Sequence, residues 1–181
     1  MHRVLPLSLL VLALAAADAT PQAKPANLLA NGDFTAGWTE WSPGERDKTS
    51  GKVALVSEDG NTFLRLLEPN QVLHKSMIAI VPGWKKLRVT CRMRLAQFTA
   101  NPAISYGNAR LANSFLLPDG KRSYLGIVQL TADTDPAKDG GWVKLETVAE
   151  IPAGALQFEV ACGNFGKAGQ AEFDDITVVA E

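Results

Sequence analysis

The chain has 181 residues, with 18 lysines and arginines against 19 aspartates and glutamates, for a formal net charge of −1. Nucleic-acid binding calls for a basic excess or a concentrated basic stripe, and this sequence has neither. The length suits one domain around a single core.

The N-terminus carries His2 and Arg3, then an uncharged apolar run from Val4 to Ala17, then Ala17-Asp18-Ala19. That order fits an export signal over residues 1–19, cleaved after Ala19 at a small-x-small site. The run is shorter than the roughly 20 apolar residues a spanning helix needs, and no later segment comes close. The expected product is secreted or periplasmic, with no membrane insertion. Removing the signal takes away Arg3 and Asp18, so the net charge is unchanged. Residues 20–26, TPQAKPA, read as a flexible leader with two prolines, and residues 27–181 as the folded domain. Cys91 and Cys162 are the two cysteines. In an oxidising compartment they are either one disulfide or a pair of buried thiols acting as small hydrophobes.

Strand signals follow in chain order. Glu58-Asp59-Gly60-Asn61 reads as the turn of a hairpin between 53–56 and 63–67. After Pro82-Gly83, Leu87, Val89, Cys91, Met93 and Leu95 alternate with Arg88, Thr90, Arg92 and Arg94 in an unbroken period of two. Pro118-Asp119-Gly120-Lys121 joins strands over 110–117 and 123–130. Asp139-Gly140-Gly141 and Pro152-Ala153-Gly154 precede strands over 142–151 and 155–162. In the latter, Leu156, Phe158, Val160 and Cys162 are expected inside, and Gln157, Glu159 and Ala161 outside. The last strand covers 171–179. About ten strands, no helical stripe and no repeat predict an all-β antiparallel sandwich of two sheets.

Three stretches together carry a family resemblance. They are Asn27-Leu28-Leu29-Ala30-Asn31-Gly32-Asp33-Phe34 followed by Trp41, then Trp142-Val143-Lys144-Leu145 leading to Ile151-Pro152-Ala153-Gly154-Ala155, and finally Phe173-Asp174-Asp175-Ile176-Thr177-Val178. Their order resembles the family 4/9 carbohydrate-binding modules, jelly rolls of the galactose-binding-like type, over nearly the whole domain. The resemblance implies that Trp41 is buried. It also implies a structural calcium, with Asp33, the Ser50-Gly51 turn and Asp174 at the matching positions. Strand parity with Ile176 and Val178 points Asp174 inward, and a buried carboxylate needs a partner. Calcium would supply one, and backbone N–H groups are the alternative.

The inventory for catalysis is thin. Beyond the signal the single histidine is His74, with no motif around it, and G-x-S-x-G, S-x-x-K and H-E-x-x-H are all missing. Glu146 and Glu150 share a strand face about 13 Å apart, wider than glycosidase pairs use. A binding role fits better. The outward positions of Arg92, Arg94, Arg110 and Glu159, beside small residues, would form a shallow groove of planar donors suited to sugar hydroxyls or to an acidic ligand. Trp38, Trp84, Tyr106 and Tyr124 are the aromatic candidates for stacking a sugar ring, with Trp38 favoured for its loop setting. The sequence therefore reads as a non-catalytic carbohydrate-binding protein. A jelly roll that contacts another exported protein is the main alternative. The third reading is an enzyme, a lyase or hydrolase with a cross-strand site, which a cluster of Tyr106, Arg110 and Glu159 meeting in one pocket would reopen.

Overall fold

A computed structural model describes residues 26–43, 51–67, 71–75, 77–130 and 141–181. The expected export signal at 1–19, the expected leader up to residue 25 and Ser50 of the expected calcium set lie outside the described residues. Among the described residues no helix is long and apolar enough to cross a membrane.

In chain order the strands are β1 (Trp41–Ser42), β2 (Val53–Glu58), β3 (Asn61–Leu66), β4 (Gln71–Lys75), β5 (Ile78–Ala79), β6 (Lys86–Thr99) and β7 (Ala109–Leu111). They continue as β8 (Ser114–Leu116), β9 (Arg122–Ser123), β10 (Val128–Leu130), β11 (Val143–Glu150), β12 (Gln157–Glu159), β13 (Ala161–Asn164) and β14 (Ala168–Ala180). One layer is a five-stranded antiparallel sheet in the order β11-β6-β14-β3-β2. The other consists of two sheets, β1-β4-β13-β7-β10 and β5-β12-β8-β9. These two are consecutive stretches of one bent surface. Only Val160 separates β12 from β13, and only Ala112-Asn113 separates β7 from β8. The Ala112 N–H donates to the Ala161 carbonyl at 2.7 Å across that break. The long strands expected over 110–117 and 155–162 are therefore each bent into two, and the all-β jelly-roll sandwich expected from the sequence is the observed fold.

Between the layers lies one apolar core. β3, β6 and β14 contribute Leu64, Val89, Cys91, Met93, Phe173 and Val178, and the facing layer contributes Leu73, Leu111, Phe115, Phe158 and Cys162. The alternation over 87–95 holds as expected: Leu87, Val89, Cys91 and Met93 are buried, and the residues between them are half-buried on the other side. Cys91 and Cys162 are buried free thiols. The turn at Asp59-Gly60 joins β2 to β3 with φ of 51° and 82°, the left-handed pair a two-residue hairpin requires. Leu156, expected inside, is 50% exposed. It stands just ahead of β12, bonded through its backbone to Leu116 and Ile80, and its side chain stays outside the core.

The N-terminal motif and Trp41 make the chain ends one unit. Asn31 donates to the Gly37 and Thr39 carbonyls and accepts from Ala36 N–H. The buried Trp41 indole donates to the Asn31 carbonyl at 2.8 Å and packs on Phe34. Asn27 Oδ1 accepts from Val178 N–H at 2.8 Å, and Ile176 N–H donates to the Gly32 carbonyl. A Cβ on Gly32 would lie 3.0 Å from the Ile176 carbonyl carbon, so glycine is required where the two ends touch.

β14 carries a bulge that decides the direction of Asp174. Asp174 pairs with Arg92 and Thr177 with Thr90, so three steps on β14 match two on β6. The extra residue includes Asp175, whose φ is 48°. One inserted residue reverses the side-chain parity. Ile176 and Val178 enter the core, while Asp174 turns to the outer face beside Arg92. The inward direction expected for Asp174 is thus corrected.

Candidate functional site

The strand break at Ala112-Asn113 opens a cleft of about 550 Å³ on the outer face of the bent layer. Its floor includes Arg110 of β7, Ala112, Glu159 of β12 and Ala161 of β13, and its walls include Tyr106, Tyr124 and Phe165. The volume is that of a small-ligand site.

Each wall has a local cause. Tyr106 sits in a loop folded on itself, where Asn101 N–H donates to the Gly107 carbonyl and Gly107 N–H to the Ile104 carbonyl. Its ring meets Phe165 edge-on, with centroids 5.5 Å apart at 88°. The Phe165 ring in turn covers Gly163, where a Cβ would come within 2.8 Å of Phe165 Cζ. Gly163 is the residue opposite Arg110 across β13 and β7. Tyr106 is 49% exposed and Tyr124 59%, so both rings offer surface at the mouth. Flat side chains of this kind bury large areas against a sugar face.

The floor is polar and fixed. Arg122 donates two parallel bonds to Glu159, at 2.9 and 3.1 Å, and a third to Ser114 Oγ. This bidentate geometry neutralises the carboxylate and holds its plane. Arg110 is 7% exposed. Its Nη2 donates to Gln129 Oε1 at 3.0 Å, while its Nε is buried with no acceptor. Burial pulls its pKa down from the ordinary arginine value.

Of the residues expected to read a ligand, Tyr106, Arg110 and Glu159 are brought together here. Arg92 and Arg94 are not. They lie on the outer face of the opposite layer, where both guanidinium groups cover the ring of Trp142 and Arg94 also covers Phe63. Glu172, 0% exposed, is held between Arg94 and Arg65, with Arg65 Nε at 2.7 Å. Arg94 also pairs with Glu58 at 2.8 Å and Arg92 with Asp175 at 3.6 Å. These arginines seal a small second core over Phe63 and Trp142, since cations favour ring faces. The expected single groove is corrected on this point: outward parity is shared, but the sheet is not. Trp38 is half-buried against the main core and is not among the cleft residues. Phe165, which stands just past β13, is not singled out in the sequence; the readable sign was Gly163 two residues earlier, since a glycine inside a strand marks close packing. Glu146 and Glu150 pair with Arg88 and Lys86 on the surface.

Asp33, Gly51 and Asp174 do not converge on one point. Val53, Leu66 and Ala171 mark one level of the sheet. Gly51 is two residues to one side of it and Asp174 three to the other, about 16 Å apart along the strands. The two oxygens of Asp174 accept from Asn61 Nδ2 and Asp175 N–H, both at 2.8 Å. Asp33 bonds Thr35 and borders a separate small cleft with Asn31 and Asp175. Among the described residues no group of three or more His, Cys, Asp or Glu is placed to hold a metal. The expected calcium set does not fit this geometry.

No family model matches the chain, and no curated protein does. Solved structures do. A family 16 carbohydrate-binding module matches at 19% identity and a TM-score of 0.60, over 84% of this chain and 99% of that one. The TmCBM61 module solved in complex with β-1,4-galactotriose matches at 16% identity and a TM-score of 0.51, over 86% and 99%. A family 4 module matches at 15% identity and 0.52, over 84% and 99%. At these identities the likeness is one of fold, and the chain has the jelly-roll sandwich of carbohydrate-binding modules.

Proposed function

We propose that this protein is a secreted or periplasmic, non-catalytic carbohydrate-binding module of the family 4/9 type that takes a poly- or oligosaccharide in the Tyr106-Tyr124 cleft. The observation carrying this reading is the pairing of two exposed tyrosines with a buried polar floor in one cleft of ligand size. Aromatic faces supply affinity and the fixed donors supply orientation, as small-molecule sites require. A fold neighbour solved with a bound galactotriose supports the same reading. Tyr106, Arg110 and Glu159 do meet in one pocket, which reopens the enzyme reading. Yet Glu159 is the one carboxylate among the described residues lining the cleft, and both its oxygens are engaged by Arg122. Glycoside hydrolysis by the usual route needs two carboxyl groups, so binding is the better fit.

The test is a glycan array and affinity electrophoresis with the exported chain and with Tyr106→Ala and Tyr124→Ala. Retention by at least one glycan, lost in both variants, is expected. Silence on all glycans with the fold intact would overturn the reading. N-terminal sequencing of the exported chain should begin at Thr20.

A second reading, a protein-docking module, draws on the exposed apolar residues Met77, Val81 and Leu156 along the β5 edge. A stoichiometric partner lost on Leu156→Asp, with glycan assays silent, would favour it.

A further inference from the structure

Six arginines lie among the described residues, and five of them meet a carboxylate. Arg65 and Arg94 hold Glu172, Arg88 holds Glu146 and Glu181, Arg92 faces Asp175, and Arg122 holds Glu159. Arg110 is the sixth and the most deeply buried. Among the described residues its single acceptor is the neutral Gln129 oxygen, on Nη2, and no carboxylate is within ion-pair distance. A desolvated cation without an anion is costly unless something pairs with it. This cation is held at the floor of a cleft, with Ala112 and Ala161 beside it and tyrosines at the mouth. Glu159 does not fill the need, because its carboxylate is paired with Arg122 and makes no ion pair with Arg110. With that pair neutral, the described residues lining the cleft carry one net positive charge, from Arg110.

We infer that the cleft selects an acidic glycan, with the carboxylate of a uronic acid residue accepted by the Arg110 guanidinium while the sugar ring lies between Tyr106 and Tyr124. The inference rests on the carbohydrate-binding reading and names its ligand class. A planar carboxylate matches the guanidinium fork, whereas a neutral hydroxyl would leave the charge unpaired. The small side chains at Ala112 and Ala161 leave room for the group to descend to the floor. The break between β7 and β8 at Ala112-Asn113 thereby gains a purpose: it puts an arginine and two tyrosines around one opening.

The experiment measures binding of the exported chain to oligogalacturonate, to the same oligosaccharide with its carboxyls reduced to neutral alcohols, and to a sulfated neutral oligosaccharide. Oligogalacturonate should bind about 10- to 100-fold more tightly than the reduced form, the range for a hydrogen bond to a charged group. Its affinity should fall as salt is raised. Arg110→Met should abolish the preference, and Arg110→Lys should keep the preference with weaker binding. Arg110→Met should also melt a few degrees higher without ligand, because a buried charge lacking a partner is gone; this shows that the variant is folded. Equal affinity for acid and reduced ligand, or a preference that survives in Arg110→Met, would overturn the inference while leaving the carbohydrate reading intact. Equal affinity for the sulfated ligand would overturn the carboxylate assignment. No binding to any of these or to the glycan array would remove the reading itself.

Discussion

Arg110 and Gly163 face each other across β7 and β13, and the side chain missing from one makes the site of the other. Because Gly163 has no Cβ, the Phe165 ring packs over it and meets Tyr106 edge-on. Gly163→Ala forces that ring away. The substitution should destabilise the protein by about 1–3 kcal/mol, the usual result of overpacking. Glycan affinity should fall alongside it as Tyr106 loses its support. Thermal melts with ligand titration check both, and an alanine variant with unchanged affinity would separate Phe165 from the site.

Glu172 tests whether the arginine cluster on the opposite layer is structural. It is fully buried between Arg65 and Arg94. Glu172→Gln leaves Arg65 without its anion and Arg94 with Glu58 alone, and breaking a buried pair from one side costs about 3–5 kcal/mol. The melting temperature should drop by about 10 °C or more. Glycan affinity, measured well below the transition, should be unchanged, since the cleft is on the other layer.

Asp174 should oppose stability at neutral pH. Burial raises its pKa above the ordinary 3.8, against the lowering effect of the Asn61 and Asp175 hydrogen bonds. A raised value means the native state binds the proton more tightly than the unfolded chain, so stability from this group falls as pH rises through the window above 3.8. Asp174→Asn should therefore melt higher than the parent at pH 7, with the gap closing as pH falls towards 4. Excess chelator should leave the parent's melt unmoved, because ligands of the native state show themselves as added stability. A calcium-dependent melt, destroyed by Asp174→Asn, would contradict both statements.

Cys91 and Cys162 are buried and unbonded, and burial pushes both thiols up, out of the reactive range. A thiol reagent should label neither in the native protein and both after denaturation without reductant. Failure to label in denaturant would show a disulfide instead.

Local order along the chain settled much of this architecture. The period of two over 87–95 fixed which side of β6 enters the core, because successive residues on a strand must alternate. The Asp59-Gly60 turn fixed the β2–β3 hairpin, because only residues tolerant of positive φ close it. The resemblance carried by the N-terminal motif implied a buried Trp41, and Trp41 is buried. Tyr106, Arg110 and Glu159 were visible as outward residues, yet nothing local distinguished them from Arg92 and Arg94. Outward parity is a property of one strand, whereas the layer a strand joins depends on partners 50 or more residues away, such as Leu111 with Cys162. The face of Asp174 was equally beyond reach, since a single bulge residue at Asp175 reverses every side chain beyond it. Sequence alone thus determined where most strands run and the two faces of those without a break or bulge. Pairing between distant strands decided which arginines seal a surface and which one waits in a cleft.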